Sequence, residues 1–333
     1  MPGFKVGIDS YCLQPLGLSH FQVLDWAARN GAEGVQFSEG WPEEKGDPDP
    51  GLLDDLAAQA RDMRLYLEWG GGQHIPLDLT TNAPKDIFDS NRRAAEQARR
   101  LGASTVRSCS GGLMRWKEEN PPTEAYLQEA ARALREQESM LRDNGVVLAV
   151  ETHFEFTTFE LLRLFEMCGA SPGGVFGVCL DTMNLLTMLE DPLSAAGRVR
   201  DWVVTTHVKD GGLMHYDINM LSFTAPAGRG VVDLAGILKL LSETGRPLNL
   251  TIEDHGGSFL LPVSNRSFLK KFPDMPLEEW DLLLKLVAGT EKRLKAGELQ
   301  VLEREDWPEV CEDRVREDIR TVRDIVLRLR FSA

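Results

Sequence analysis

The chain is short of cysteine, of positive charge and of long apolar runs. Its five cysteines, Cys12, Cys109, Cys168, Cys179 and Cys311, are scattered over 333 residues without a CxxC pair. That spacing suits reduced thiols, mostly small core residues, better than a disulfide frame or a zinc site. Lys and Arg total 37 against 52 Asp and Glu, a formal charge of −15. Nucleic-acid binding needs basic surface that releases counterions from phosphates, so a polyanionic partner is disfavoured. No apolar run reaches membrane-spanning length. The start, Met1-Pro2-Gly3-Phe4-Lys5, leads straight into a strand pattern without the apolar segment of a signal peptide. The expectation is a cytoplasmic protein that meets neither membrane nor nucleic acid. A Gly-rich phosphate loop is also missing, because the segment GIDSYCLQPLG has neither GxGxxG nor GxxxxGK.

What is present is a globular composition, 42% hydrophobic and 27% charged, and a repeating organisation. Eight β-rich runs begin units that continue as helical patterns: residues 5–9, 33–38, 65–70, 104–109, 146–153, 175–181, 203–210 and 248–255. Between them apolar residues recur at spacings of three and four, as in Phe21-Leu24-Ala27-Ala28 and Leu53-Leu56-Ala60. Asn30-Gly31, Leu101-Gly102, Asn144-Gly145 and Thr244-Gly245 are placed to end helices. Eight βα units predict a closed parallel (β/α)8 TIM barrel in the α/β class, one domain over residues 1–297. A doubly wound open sheet usually carries fewer strands. The loop from His255 to Met275 is long enough to cover the mouth. The tail, residues 298–333, reads as a charged amphipathic helical extension packed on the barrel or on a partner subunit of a homo-oligomer.

The active site of such a barrel lies where its strands finish. Strand five finishes in Glu151-Thr152-His153, strand six in Asp181-Thr182-Met183-Asn184, strand seven in His207-Val208-Lys209-Asp210 and strand eight in Glu253-Asp254-His255. Side chains alternate between faces along a strand. In phase with Glu151, Asp181, His207 and Glu253 lie Ala149, Cys179, Thr205 and Thr251, small or polar as a barrel interior requires. Out of phase lie Val150, Leu180, Thr206 and Ile252, mostly bulky and aliphatic as a surface under helices should be. All four candidates therefore point inward at one height. Singly, each is an ordinary exposed charge or an arginine partner. Together, their carboxylates would repel one another unless a cation neutralised them. Three carboxylates and one imidazole suit Mn²⁺ best, then Mg²⁺, with Co²⁺, Fe²⁺ or Zn²⁺ as further occupants.

These motifs, ETH at 151–153, LDTMN at 180–184, HVKD at 207–210, GRGVVD at 228–233 and IEDH at 252–255, resemble the sugar isomerase and epimerase family with a xylose-isomerase-like TIM barrel. Ketose 3-epimerases, inosose dehydratases and, more distantly, endonuclease IV belong to it. The resemblance spans about residues 5–295. It implies that Glu151, Asp181, His207 and Glu253 hold one divalent cation, and that Glu151 and Glu253 double as acid and base. The implied reaction is isomerisation or epimerisation of a sugar or polyol, by proton abstraction next to a carbonyl through a metal-stabilised enediolate. Elimination at the same site, as in an inosose-type dehydratase or a 3-oxo-glycoside deglycosylase, is the alternative. Two further alternatives are an endonuclease IV-like phosphodiesterase, which would need histidines that strands one to four do not end in, and a non-catalytic sugar-binding barrel.

Around that set, His153 is a candidate substrate contact or added base, and Lys209 either reaches a substrate oxygen or pairs with an acid. Asp210 is out of phase and is expected to fix a loop. Arg229, between two glycines, is a candidate to reach over the mouth. Asn184 stands where ketose 3-epimerases usually carry a histidine, and an amide can hydrogen-bond a hydroxyl but not transfer a proton. Trp41, Trp69 and Trp116 follow strands two, three and four, and each is read as packing or as a face for a sugar ring.

Overall fold

The structure, a computed structural model, describes residues 3–41 and 46–331. Met1, Pro2 and the last two residues of the tail lie outside the described residues. Seven parallel strands come first in chain order: β1 (Phe4–Asp9), β2 (Gly34–Phe37), β3 (Tyr66–Gly72), β4 (Thr105–Ser108), β5 (Val147–Glu151), β6 (Phe176–Asp181) and β7 (Val203–Val208). The chain then forms an antiparallel hairpin, β8 (Asp210–Tyr216) and β9 (Asn219–Ala225), before β10 (Leu248–Ile252) completes the barrel. The barrel closes in the order β1-β10-β7-β6-β5-β4-β3-β2, so the chain folds as the expected single (β/α)8 barrel. A last short strand, β11 (Ser258–Leu261), pairs with β9 in a separate three-stranded sheet ordered β11-β9-β8.

The first helices are α1 (His20–Arg29), α2 (Pro50–Asp62), α3 (Phe88–Leu101), α4 (Thr123–Asn144) and α5 (Thr158–Met167). After β6 come the single turn α6 (Asn184–Thr187), α7 (Pro192–Val199), α8 (Leu234–Ser242), α9 (Arg266–Leu269), α10 (Leu277–Lys295) and α11 (Trp307–Phe331). Local signals set their ends. Thr157 and Glu160 form a reciprocal capping box at α5, satisfying two backbone donors that a helix start leaves open. At the end of α4, Gly145 takes a left-handed φ of 66° and returns its N–H to the last turn. The tail helix α11 lays Cys311, Val315, Ile319, Val322 and Val326, an i, i+4 stripe, into the same apolar core as the barrel.

The barrel waist below the mouth is polar. Glu68 is buried and accepts from Gln36 Nε2 (2.7 Å), Thr205 Oγ1 (2.6 Å) and Asn249 Nδ2 (2.9 Å), strapping four strands together. The Tyr66 ring crosses the interior to reach Thr251 Oγ1 at 3.0 Å. It fits because β1 and β2 carry glycine there: a Cβ on Gly34 would lie 2.1 Å from that ring, and one on Gly7 2.1 Å from its hydroxyl.

Of the four strands that carry the candidate ligands, three end earlier than expected. Strand five stops at Glu151, strand seven at Val208 and the eighth barrel strand, β10, at Ile252, and Asp210 opens β8 instead of ending β7. The loop from 255 to 275 contains β11 and α9.

Candidate metal centre

Glu151 ends β5, Asp181 ends β6, His207 is the penultimate residue of β7, and Glu253 follows β10 directly. Their ligand atoms all lie within 4.8 Å of one another, and all four residues are buried. His207 Nδ1 is 3.2 Å from Glu151 Oε1 and 3.8 Å from Glu253 Oε2. One oxygen of Asp181 is used by the chain itself: Oδ1 accepts the N–H groups of Met183 (2.8 Å) and Asn184 (2.7 Å) as the chain turns into α6. The other, Oδ2, and Glu253 Oε2 are buried with no aligned hydrogen-bond donor. Lys209 Nζ stands 3.0 Å from Asp181 Oδ2 and also contacts Glu253 Oε2.

Two cations therefore compensate this carboxylate cluster, and one of them was not legible as a site residue. Arg107, in β4, donates from Nε to Glu151 Oε2 at 2.6 Å. Burial opposes ionisation of Glu151, yet Arg107 and then His207 outweigh it and hold the carboxyl well below the usual range. Burial likewise opposes Glu253, and Lys209 and His207 bring it down to about 2. For Asp181 burial wins over Lys209 and its pKa is raised. Asp9, at the end of β1, is pushed up to about 7 by burial against the pull of His207, whose Nε2 lies 3.6 Å from Asp9 Oδ2. His207 Nε2 also meets the amide oxygen of Gln36.

The residues fit a divalent ion. Three carboxylates and one imidazole converge on one point, and two of their buried oxygens, Asp181 Oδ2 and Glu253 Oε2, share the single Lys209 ammonium, so the cluster keeps the excess negative charge that a divalent cation would neutralise. Oxygen donors predominate, as Mn²⁺ and Mg²⁺ prefer. Unlike a set of surface acids, the cluster is buried, and two of its members, Glu151 and Glu253, line a cavity of about 430 Å³.

That cavity is lined by Glu151, His153, Asn184, Lys209, Glu253 and Phe259, among others. His153 lies in the turn after β5 with Nδ1 2.8 Å from Glu155 Oε2. Asn184 Nδ2 is 3.5 Å from Glu151 Oε1. Asp210 does fix a loop: its carboxylate accepts the backbone N–H groups of Gly211, Gly228, Gly230 and Val232 at 2.7 to 3.1 Å. The structure does not bring Arg229 to the cavity lining: Nη2 pairs with Glu317 at 3.2 Å in an exposed contact. Trp69 is fully buried, and Trp116 packs against Phe154 and Phe268. Trp41 stacks on His20 with centroids 5.4 Å apart. Arg304, from the segment before α11, reaches the cavity wall beside Tyr11 and donates toward His255 Nδ1 at 2.7 Å.

A family model described as Xylose isomerase-like TIM barrel matches residues 24–271, and the chain belongs to that family. Solved structures share the fold at low identity. A D-allulose 3-epimerase from Methylomonas sp. is 15% identical, with a TM-score of 0.63 over 98% of this chain and 99% of its own. The IOLI protein with a bound zinc atom gives the same identity, score and coverage. A xylose isomerase-like TIM barrel protein from Mycobacterium smegmatis, in complex with magnesium, is 14% identical, with a TM-score of 0.59 over 86% of this chain and 97% of its own. No curated protein matches the chain by sequence. No helix of the described residues is long and apolar enough to cross a membrane.

Proposed function

We propose that this protein is a divalent-metal-dependent isomerase or epimerase of a sugar or polyol, working by proton transfer at a carbon next to a carbonyl. The observation that carries the reading is the convergence of Glu151, Asp181, His207 and Glu253 on one point, with Glu151 and Glu253 lining the cavity. Among proteins of the same fold, D-allulose 3-epimerase acts on a sugar, and the IOLI and M. smegmatis proteins bind zinc and magnesium. The donor set here favours Mn²⁺.

When bound, the cation supplies Lewis-acid polarisation of the substrate carbonyl. The chain supplies the proton chemistry. Glu151 and Glu253 come from β5 and β10, the two flanks of the arc β5-β6-β7-β10, so a substrate in the cavity sits between two carboxylates. Both are held ionised, Glu151 by Arg107 and Glu253 by Lys209, which is the protonation state a base needs, although this pairing also lowers the basicity of each. One accepts the carbon-bound proton. The other carboxylate returns a proton that it takes from solvent, and the first releases its own to solvent, so the proton count closes. Asn184, beside Glu151, donates its amide to a hydroxyl, and His153 offers a second polar contact on the cavity wall. Phe259 lines the cavity from β11 and gives that wall an apolar face.

The test is incubation of the Mn²⁺-loaded protein with ketoses, inososes and 3-oxo-glycosides in D₂O, followed by NMR. Carbon-bound deuterium in a substrate or product is the expected result, and the product distinguishes epimerisation, isomerisation and elimination. Absence of exchange across all three panels, with metal bound, removes the reading.

A further inference from the structure

A second cluster of ligand-competent side chains shares the cavity without belonging to the four-residue centre. Cys109 follows β4, and His153 and Glu155 follow β5; one ligand atom from each lies within 4.8 Å of the others. Cysteine spacing along the chain gives no sign of this site, because its sulfur comes from one strand end and its nitrogen and oxygen from the next.

The cluster is held rigidly. Cys109 N donates to the Gly72 carbonyl at 3.1 Å, and Gln73 Nε2 donates to the Cys109 carbonyl at 3.2 Å. One residue on, Ser110 Oγ accepts the N–H groups of His74 (3.0 Å) and Ile75 (2.9 Å). The next residue, Gly111, donates its N–H to Glu155 Oε1. Glu155 is almost wholly buried at 1% exposure, and in the metal-free protein the His153 imidazole is the group that compensates its charge. Its Oε2 lies 2.8 Å from His153 Nδ1, so the carboxylate and that ring nitrogen face the same point, and a cation there would replace the proton they share. Its Oε1 is 3.7 Å from Cys109 Sγ. A tetrahedral ion with metal–sulfur near 2.3 Å and metal–oxygen near 2.0 Å separates those two donors by about 3.5 Å. Cys109 and His153 both line the cavity, so one side of the cluster faces solvent and substrate.

We propose that Cys109, His153 and Glu155 form a second metal site, selective for a borderline-soft divalent ion such as zinc, at the wall of the cavity that Glu151 and Glu253 of the oxygen-rich centre also line. Sulfur, nitrogen and oxygen from three residues with one open side is the donor pattern of a zinc site that keeps a position for water or substrate. Its selectivity differs from that of the three-carboxylate centre, so one chain sorts two metals by ligand softness. The inference does not depend on the reaction proposed above.

Cobalt(II) tests it, because only a thiolate ligand adds sulfur-to-cobalt charge-transfer absorption in the near ultraviolet. The metal-free full-length protein is titrated with cobalt and the bound ion counted by elemental analysis. The expected result is two ions per chain and a charge-transfer band. Cys109→Ser should abolish the band and lower the count to one, and His153→Ala should weaken binding of the band-forming ion at least tenfold. Asp181→Asn should remove the other ion and leave the band. One bound ion with the band also supports the site, and places the failure in the four-residue centre. Wild-type protein that binds cobalt without a band, or a band that survives in folded Cys109→Ser, overturns the proposal.

Discussion

Arg107 donates from Nε to Glu151 Oε2 over 2.6 Å, so the carboxylate at the end of β5 is clamped by a cation from the adjacent strand β4. This pairing decides the protonation state of a group that burial alone would neutralise. Burial raises the Glu151 pKa, and Arg107 is the largest opposing influence.

Replacing Arg107 with Met should therefore move the acid limb of kcat/KM to higher pH, by roughly one to three pH units, the usual effect of an opposite charge on a neighbouring carboxyl. The sign for stability follows from the same shift. A depressed carboxyl pKa stabilises the fold above the unfolded value, near 4.3, and that contribution disappears as pH falls through the folded value. Arg107→Met should lose about 3–5 kcal/mol at neutral pH, the cost of leaving a buried charge unpaired. Without Arg107 burial raises the Glu151 carboxyl, so protonation relieves the variant as pH falls from 7 to 4, while the wild-type contribution is lost only at lower pH, and the gap narrows. Urea denaturation at pH 7 and pH 4 reads both. An equal gap at the two values would mean that the pair is not what sets Glu151.

Lys209 and a divalent cation compete for the same two oxygens, Asp181 Oδ2 and Glu253 Oε2. Lys209→Met should destabilise the metal-free protein, because it strips a buried carboxylate pair of its nearest ammonium. Added Mn²⁺ should raise Tm more in the variant than in wild type. At a hundredfold excess over Kd, linkage gives about 2.7 kcal/mol for a single site. Differential scanning calorimetry with and without metal makes the comparison. A smaller metal-induced rise in the variant than in wild type would show that Lys209 helps hold the ion.

Phe259 reaches the cavity wall from β11, which is tied to β9 in the sheet built after the barrel strands. Phe259→Ala should leave metal content unchanged and raise KM, since it removes an apolar cover and not a ligand. The loss of one large buried contact sets the scale at about 3 kcal/mol or less in kcat/KM. Steady-state kinetics with any substrate found by deuterium exchange measures it. An unaltered substrate profile would place β11 outside the binding surface.

The convergence of the four candidate residues was legible because period-two alternation exposes phase: Ala149, Cys179, Thr205 and Thr251 mark the inner face, and the barrel order puts those strands side by side. Arg107 carried the same signal unread. It pairs in register with Ala149, so it faces inward, but an arginine is not a metal ligand and the residue lies before the strand end, so the pattern alone does not mark it as part of a site. The hairpin β8–β9 was hidden for another reason. Lys209 and Asp210 extend the apolar run of β7 without a turn residue between them, and the break is made by Asp210 capturing backbone donors up to 22 residues away. Such a long-range contact leaves no local pattern. The hairpin turn itself rests on Asp217 at φ 54°, a left-handed position that Asp tolerates better than most residues.

The division of labour between Glu151 and Glu253 is the sharpest test of the proposed chemistry. Both sit in the same ligand cluster, and both are held ionised, but by different partners: Arg107 from β4 for Glu151, Lys209 from just beyond β7 for Glu253. Gln at either position keeps an oxygen for the cation and removes the proton carrier. Each variant should lose roughly two to four orders of magnitude in kcat, the size of a general acid or base contribution, while retaining metal by elemental analysis. The two should differ in D₂O. The variant that keeps the first base should still exchange the substrate's carbon-bound proton with solvent without completing turnover; the other should not exchange at all. If Glu151→Gln turns over near the wild-type rate at full metal occupancy, Glu151 is a ligand only. Proton transfer on that flank then falls to His153, two residues on and backed by Glu155, and His153→Gln should be the variant that loses exchange.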